Sequence, residues 1–141
     1  MKKALIIFYS YSGHTKNIAQ QKAKSQDADL YEIKDQKRPG IVSAYVSGCF
    51  RAMRQKEMPI EAVEIDFSRY ESITVMAPIW AGHPAPAFNS LIAKLPSGTA
   101  VKLYMISGSG QSSKDRVTEF VKSKDCTVTD YIDVKSKSLL S

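Results

Sequence analysis

Three strongly apolar stretches constrain this chain more than any other feature: the continuous run "KALIIFY" (3–9), and "SITVMAPIW" (72–80) and "AVKLYMIS" (100–107). A run without polar alternation suits a strand buried on both faces, as in a parallel sheet covered by helices. Pro78 is expected to stop the second of them. Helical spacing follows each run. "HTKNIAQQKAKS" (14–25) sets Ile18 and Ala19 on one narrow stripe, "PAFNSLIAKL" (86–95) has Pro86 near its first turn, and "SKDRVTEFVKS" (113–123) is a third helix. Weaker strands are expected at "DLYEIK" (29–34) and "CTVTDYIDVK" (126–135). A helix is expected at "IVSAYVSGCFRAMR" (41–54), where Gly48 allows close approach rather than ending the helix. Residues 54–71 are polar and mixed, a long connection. The fold class is therefore α/β: an open five-stranded parallel sheet with right-handed crossovers, flanked by helices. Little chain follows the last strand, so no closing C-terminal helix is expected and one sheet face should be thinly covered, favouring self-association.

At 141 residues the chain is expected to form one domain over 1–141, large enough for a core without disulfides or metal. No apolar stretch approaches the roughly 20 residues that span a bilayer, and no signal sequence is evident, so membrane insertion is not expected. Cys49 and Cys126 lie far apart and fit neither a CxxC nor a zinc pattern, which favours buried free thiols in a reducing cytoplasm. Two histidines in separate loops do not make a metal site. The net charge is +6, and residues 1–56 carry eleven Lys or Arg against four acids. The basic residues are scattered and no aromatic-rich nucleic-acid motif accompanies them, so anionic partners other than nucleic acid are favoured. Tyr45, Phe50 and Met53 are expected in the core, while Lys135 and Lys137 are expected in a solvated tail.

In an open parallel sheet, ligands gather beyond the carboxyl ends of the strands. Three such tips have unusual composition. "SYSGHT" (10–15) links strand to helix, and a helix N-terminus offers unpaired N–H groups and partial positive charge. Gly13 permits the bend, and the hydroxyls of Ser10, Ser12 and Thr15 can donate to anion oxygens. A plain helix cap would need one hydroxyl, not three. The loop is neither a Walker A sequence nor a GxGxxG fingerprint. "PIWAGHPAP" (78–86) puts Trp80 at the crevice mouth, where a large apolar ring gains by stacking. "SGSGQSS" (107–113) offers backbone polar groups that can approach a flat heterocycle. His14 is expected to act through its backbone N–H, and His83 to face solvent.

Together these features describe a site for a phosphorylated flat ring, and here the chain resembles the flavodoxin-like, flavin mononucleotide (FMN) binding family over residues 1 to about 135. "SYSGHT" is similar to that family's phosphate loop, [ST]-x-[ST]-G-x-T, "APIWAGHPAP" to its second flavin loop, and "SGSG" stands where the third belongs. The resemblance implies a strand order of 2-1-3-4-5 and FMN as cofactor. It implies that Ser10, Tyr11, Ser12, Gly13, His14 and Thr15 hold the phosphate. Pro78, Ile79, Trp80, Ala81 and Gly82 would contact the ring, with Trp80 stacking on it, and Ser107, Gly108, Ser109 and Gly110 would line the other side. It also implies an electron carrier between redox partner proteins, here with acidic docking surfaces, and no catalytic residue of its own. An NAD(P)H-dependent flavin or quinone reductase, a non-redox phosphate-binding module and a homodimer remain open. The chain departs from the family in its basic charge and in having no aromatic residue in 107–113.

Overall fold

Five parallel strands run in the order β2-β1-β3-β5-β6 in a computed structural model that describes residues 4–38 and 40–136. They are β1 (Ala4–Tyr9), β2 (Asp29–Ile33), β3 (Ser72–Trp80), β5 (Ala100–Ser107) and β6 (Thr127–Lys135). With the two-residue β4 (His83–Pro84) set aside, this is the expected order 2-1-3-4-5. β4 was not legible in the sequence; it turns back antiparallel on the end of β3, pairing Ile79 with Pro84 and Trp80 with His83. β3 also runs through Pro78, which pairs with Ile106 of β5, so the proline does not stop the strand. Proline lacks only the N–H, and the Pro78 carbonyl still accepts a bond from the Ala85 amide at 3.0 Å.

β1 and β3 are buried on both faces, and β5 is buried on both only towards its end, with Ala100 and Lys102 exposed. On one face, Leu5, Ile7 and Tyr9 of β1 pack with α4 (Pro86–Lys94) and α5 (Lys114–Ser123) through Phe88, Leu91, Ile92, Val117 and Val121. The same face is covered by the helical segment 41–53. This segment is α-helical at α2 (Ile41–Ser43) and α3 (Cys49–Met53), with a π-helical stretch at Ala44–Gly48 between them. On the other face, Ile6, Phe8, Met76 and Ile106 meet α1 (His14–Gln26) through Ala19 and Ala23. Burying each large side chain contributes roughly 1.5–3 kcal/mol, so the three apolar stretches dominate the fold's stability.

Among the described residues no helix follows β6, and α1 alone covers the second face. Ile132 stays 39 % exposed there, and the Lys22 ammonium lies over the Tyr104 ring at 4.5 Å. The connection 54–71 is irregular but anchored. Ser90 Oγ of α4 accepts from the Met58 amide at 2.9 Å, and Asn89 Nδ2 donates to the Lys56 carbonyl at 2.9 Å.

Two core expectations fail. Phe50 and Met53 are 54 % and 49 % exposed, because their helix turns its small residues inward instead. The Tyr45 side chain and Lys137 lie outside the described residues, while Lys135 is an exposed residue of β6 rather than part of a tail. Cys126 is a buried free thiol; Cys49 is also free but only half-buried.

Candidate functional site

The first strand tip folds as an uncapped helix start. Gly13 is the N-cap of α1 with φ 104° and ψ −12°, a conformation that suits glycine, and no side chain caps the helix. Ser10 Oγ accepts the Gly13 amide at 3.1 Å, which closes the loop and turns that amide inward. Gly13 therefore supplies the turn. The first-turn N–H groups that follow it have no intrahelical acceptor by geometry. Among the described residues nothing lies within 4 Å of where a Gly13 Cβ would be. Ser12 is exposed and Ser10 half-buried, whereas Thr15 is fully buried. His14 is exposed, and its Nδ1 lies 3.4 Å from Ser136 Oγ.

The second tip differs from the expectation. Trp80 is 1 % exposed and forms no open wall at the crevice mouth. Its ring is boxed edge-on by Tyr9 (centroids 6.3 Å apart) and Tyr11 (5.8 Å), and Gly48 lies against it from the helical segment. Burial of a large apolar face and edge-to-face contacts account for that position. Ala81 and Gly82 both have positive φ, 54° and 86°, and form the two-residue turn between β3 and β4. Ala81 is exposed at this tip, while Pro78 and Ile79 are buried in the strand. His83 is 5 % exposed rather than in solvent. Its Nδ1 is 3.4 Å from the Ala81 carbonyl oxygen, Nε2 is buried without a partner, and burial holds the imidazole's pKa below its ordinary value.

At the third tip, Ser107 Oγ accepts the Gly110 amide at 2.9 Å, leaving Gly108 and Ser109 exposed on the rim. The tips are tied together. The Ser113 amide donates to the Gly82 carbonyl at 2.8 Å, and the Ser136 amide donates to the Ser107 carbonyl at 2.6 Å while its hydroxyl approaches His14. The expected residues thus gather at the carboxyl ends of neighbouring strands, but Thr15, Pro78, Ile79, Trp80 and Ser107 are buried there.

Sequence reasoning missed a charged group beside the first tip. Arg38 donates to the Tyr11 carbonyl at 2.9 Å and lies over the Tyr11 ring at 4.6 Å. Next to it a cavity of about 260 Å³ is lined by Tyr9, Ser10, Tyr11, Asp35, Arg38 and Glu61 among others. Tyr9 donates to Asp35 Oδ2 at 2.7 Å, while Oδ1 is buried without a partner. Burial pushes both groups up, and in the carboxyl it outweighs the Tyr9 bond and the Arg38 charge, which act the other way. These groups come from separate elements, and no local motif announces them.

A helix start without a side-chain cap, a glycine turn with small hydroxyls and a glycine–serine rim stand together at the tips of a doubly wound sheet. The chain belongs to the flavodoxin family, whose profile it matches over residues 3–135. It is similar to a flavoprotein from Lactobacillus acidophilus NCFM whose structure was solved in complex with FMN. Identity is 25 %, the TM-score is 0.77, and 93 % of this chain and 92 % of that one are covered. A candidate flavoprotein from Bacteroides eggerthii DSM 20697 shares the fold at 17 % identity and TM-score 0.75, covering 96 % and 91 %. Another from Bacteroides uniformis ATCC 8492 does so at 19 % and 0.68, covering 96 % and 92 %. No curated protein matches the chain in sequence. Among the described residues no helix is long and apolar enough to cross a membrane, and no cluster of His, Cys, Asp and Glu could hold a metal ion.

Proposed function

We propose that this protein binds FMN at the three strand tips and carries electrons between redox partner proteins. The observation that carries the reading is the start of α1: an N-cap at Gly13 with no side-chain cap, no described atom within 4 Å of its Cβ position, and Ser10, Ser12 and His14 in the same loop. A phosphate dianion suits that donor set, since helix amides and the dipole favour negative charge there. The FMN complex of the Lactobacillus acidophilus flavoprotein supports the choice of nucleotide.

Bound FMN supplies the electron chemistry. The chain's own residues do the rest. Hydroxyls of Ser10 and Ser12 and first-turn amides of α1 hold the phosphate. Ala81, Gly82, Gly108 and Ser109 border the ring. The Ser113–Gly82 bond fixes the second tip against the third, so the border is held before the cofactor arrives. Trp80 acts from behind, as the packed base under Tyr11.

A second reading, an NAD(P)H-dependent flavin or quinone reductase, draws on the absence of any aromatic residue in 107–113, which leaves room for a substrate. The test is NAD(P)H oxidation by FMN-loaded protein with a quinone acceptor. No turnover until a separate reductase is added fits the carrier. Steady turnover by the protein alone would overturn it in favour of the reductase.

A further inference from the structure

The helical segment 41–53 is inside out. Its inward row is Ala44, Gly48 and Ala52, two buried alanines around a glycine that lies against Trp80. Its outward row is Val42, Val46 and Phe50, at 72, 64 and 54 % exposure, joined by Ile41 and Met53 at 70 and 49 %. Five of the seven large apolar side chains left exposed among the described residues belong to these thirteen positions. An ordinary surface helix turns its large apolar residues to the core. An exposed patch with a charged rim marks an interaction surface. Along this stretch of chain the charges have one sign, although Glu57 follows it and Asp115 and Glu119 share a groove with Gln55 at its end. Residues 36–56 contain Lys37, Arg38, Arg51, Arg54 and Lys56, all exposed, and no Asp or Glu.

We propose that this outward row is the docking surface for an acidic amphipathic protein partner, one presenting apolar side chains rimmed by carboxylates. Charge selects this occupant. A second copy docked symmetrically would bring a second set of the same cations, Arg51 and Arg54 among them, to this surface with no added carboxylate from the segment to meet them. A bilayer fits less well because the Arg54 guanidinium carbon lies over the Phe50 ring, 4.3 Å from its centroid, so burying the ring would drag the charge along. A partner carboxylate can meet that guanidinium where it stands. The partner's role as a redox protein rests on the electron-carrier reading. A helix is about 10 Å across, so a partner on the outer row sits about one helix diameter from Trp80, whose ring also meets Tyr11 of the first strand tip.

The test measures binding of two labelled amphipathic helical peptides, identical in their Leu face and differing only in a Glu or Lys rim. The protein is used as wild type, as V46E/F50E, and as L30E/I132E, which places the same added charge on exposed apolar sites elsewhere. The expected result is binding of the Glu-rimmed peptide that weakens at least about tenfold in V46E/F50E, stays within about twofold in L30E/I132E, and declines with salt. The Lys-rimmed peptide should bind at least about tenfold more weakly. Equal binding by wild type and V46E/F50E, equal loss in both variants, or no preference for the Glu rim would overturn the proposal. So would a wild-type dimer in sedimentation that V46E/F50E dissolves, or co-sedimentation with phosphatidylcholine–phosphatidylserine vesicles without peptide binding. FMN titration runs alongside. V46E/F50E should bind FMN as wild type does, and failure of every form to bind it would end the carrier reading while the peptide result still judged the docking surface.

Discussion

A Cβ placed on Gly48 would come within 2.7 Å of the Trp80 ring, so the helical segment 41–53 sits on the second strand tip with no room for a side chain between them. Helical propensity favours Ala over Gly by about 1 kcal/mol, but overpacking a closed contact costs about 1–3 kcal/mol. Gly48→Val, larger and β-branched, should therefore lower the melting temperature by roughly 3–6 °C. Trp80 is the protein's single tryptophan, so its emission reports this contact directly. Wild type should emit blue-shifted light resistant to iodide quenching, and Gly48→Val should shift it red. Easily quenched emission from wild type would contradict the packing.

Asp35 gives a pH signature. Burial raises its carboxyl above the ordinary value despite the Tyr9 bond and Arg38, so the folded state holds the proton more tightly than the unfolded chain. Its contribution to stability is full below the unfolded value, about 4, and is lost as pH rises through the folded value. Asp35→Asn cannot titrate there and can still accept from Tyr9. Its melting temperature relative to wild type should climb between pH 4 and pH 7. A gap that is constant, or that shrinks, would count against the buried Oδ1.

Gly13→Ala tests the turn itself. At φ 104° an L-residue is strained by about 1–2 kcal/mol, even though a Cβ there meets nothing. The variant should melt lower and bind FMN more weakly, while Gly40→Ala, at an ordinary φ of −66°, should leave both almost unchanged. Equal behaviour of the two variants would show that the loop conformation is not required.

The parts of the fold that were legible share one cause. β1 and β3 are buried on both faces, and β5 over its last residues, so their sequences are apolar stretches that few other elements would tolerate in water. The glycine at 48 was legible as a close approach, but its neighbour was not, because contact with Trp80 joins positions 32 residues apart in sequence. The same gap explains the error at Trp80. Local composition put an indole at a polar tip, and only the packing of a distant helix shows that the tip is roofed. Phe50 and Met53 misled for a related reason: helical spacing establishes that two faces exist, not which one turns inward. Asp35, Arg38 and Tyr11 meet only after β1 and β2 pair, so their grouping has no sequence spacing to betray it.

The most direct test of the account compares FMN with riboflavin, which has the same ring and no phosphate, by flavin fluorescence titration of the purified apoprotein. If the start of α1 holds a phosphate, charge-assisted bonds to it should make FMN bind at least about a hundredfold more tightly. Ser12→Ala should narrow that gap by weakening FMN alone. Equal affinity for the two flavins, or no binding of FMN, would contradict the central claim.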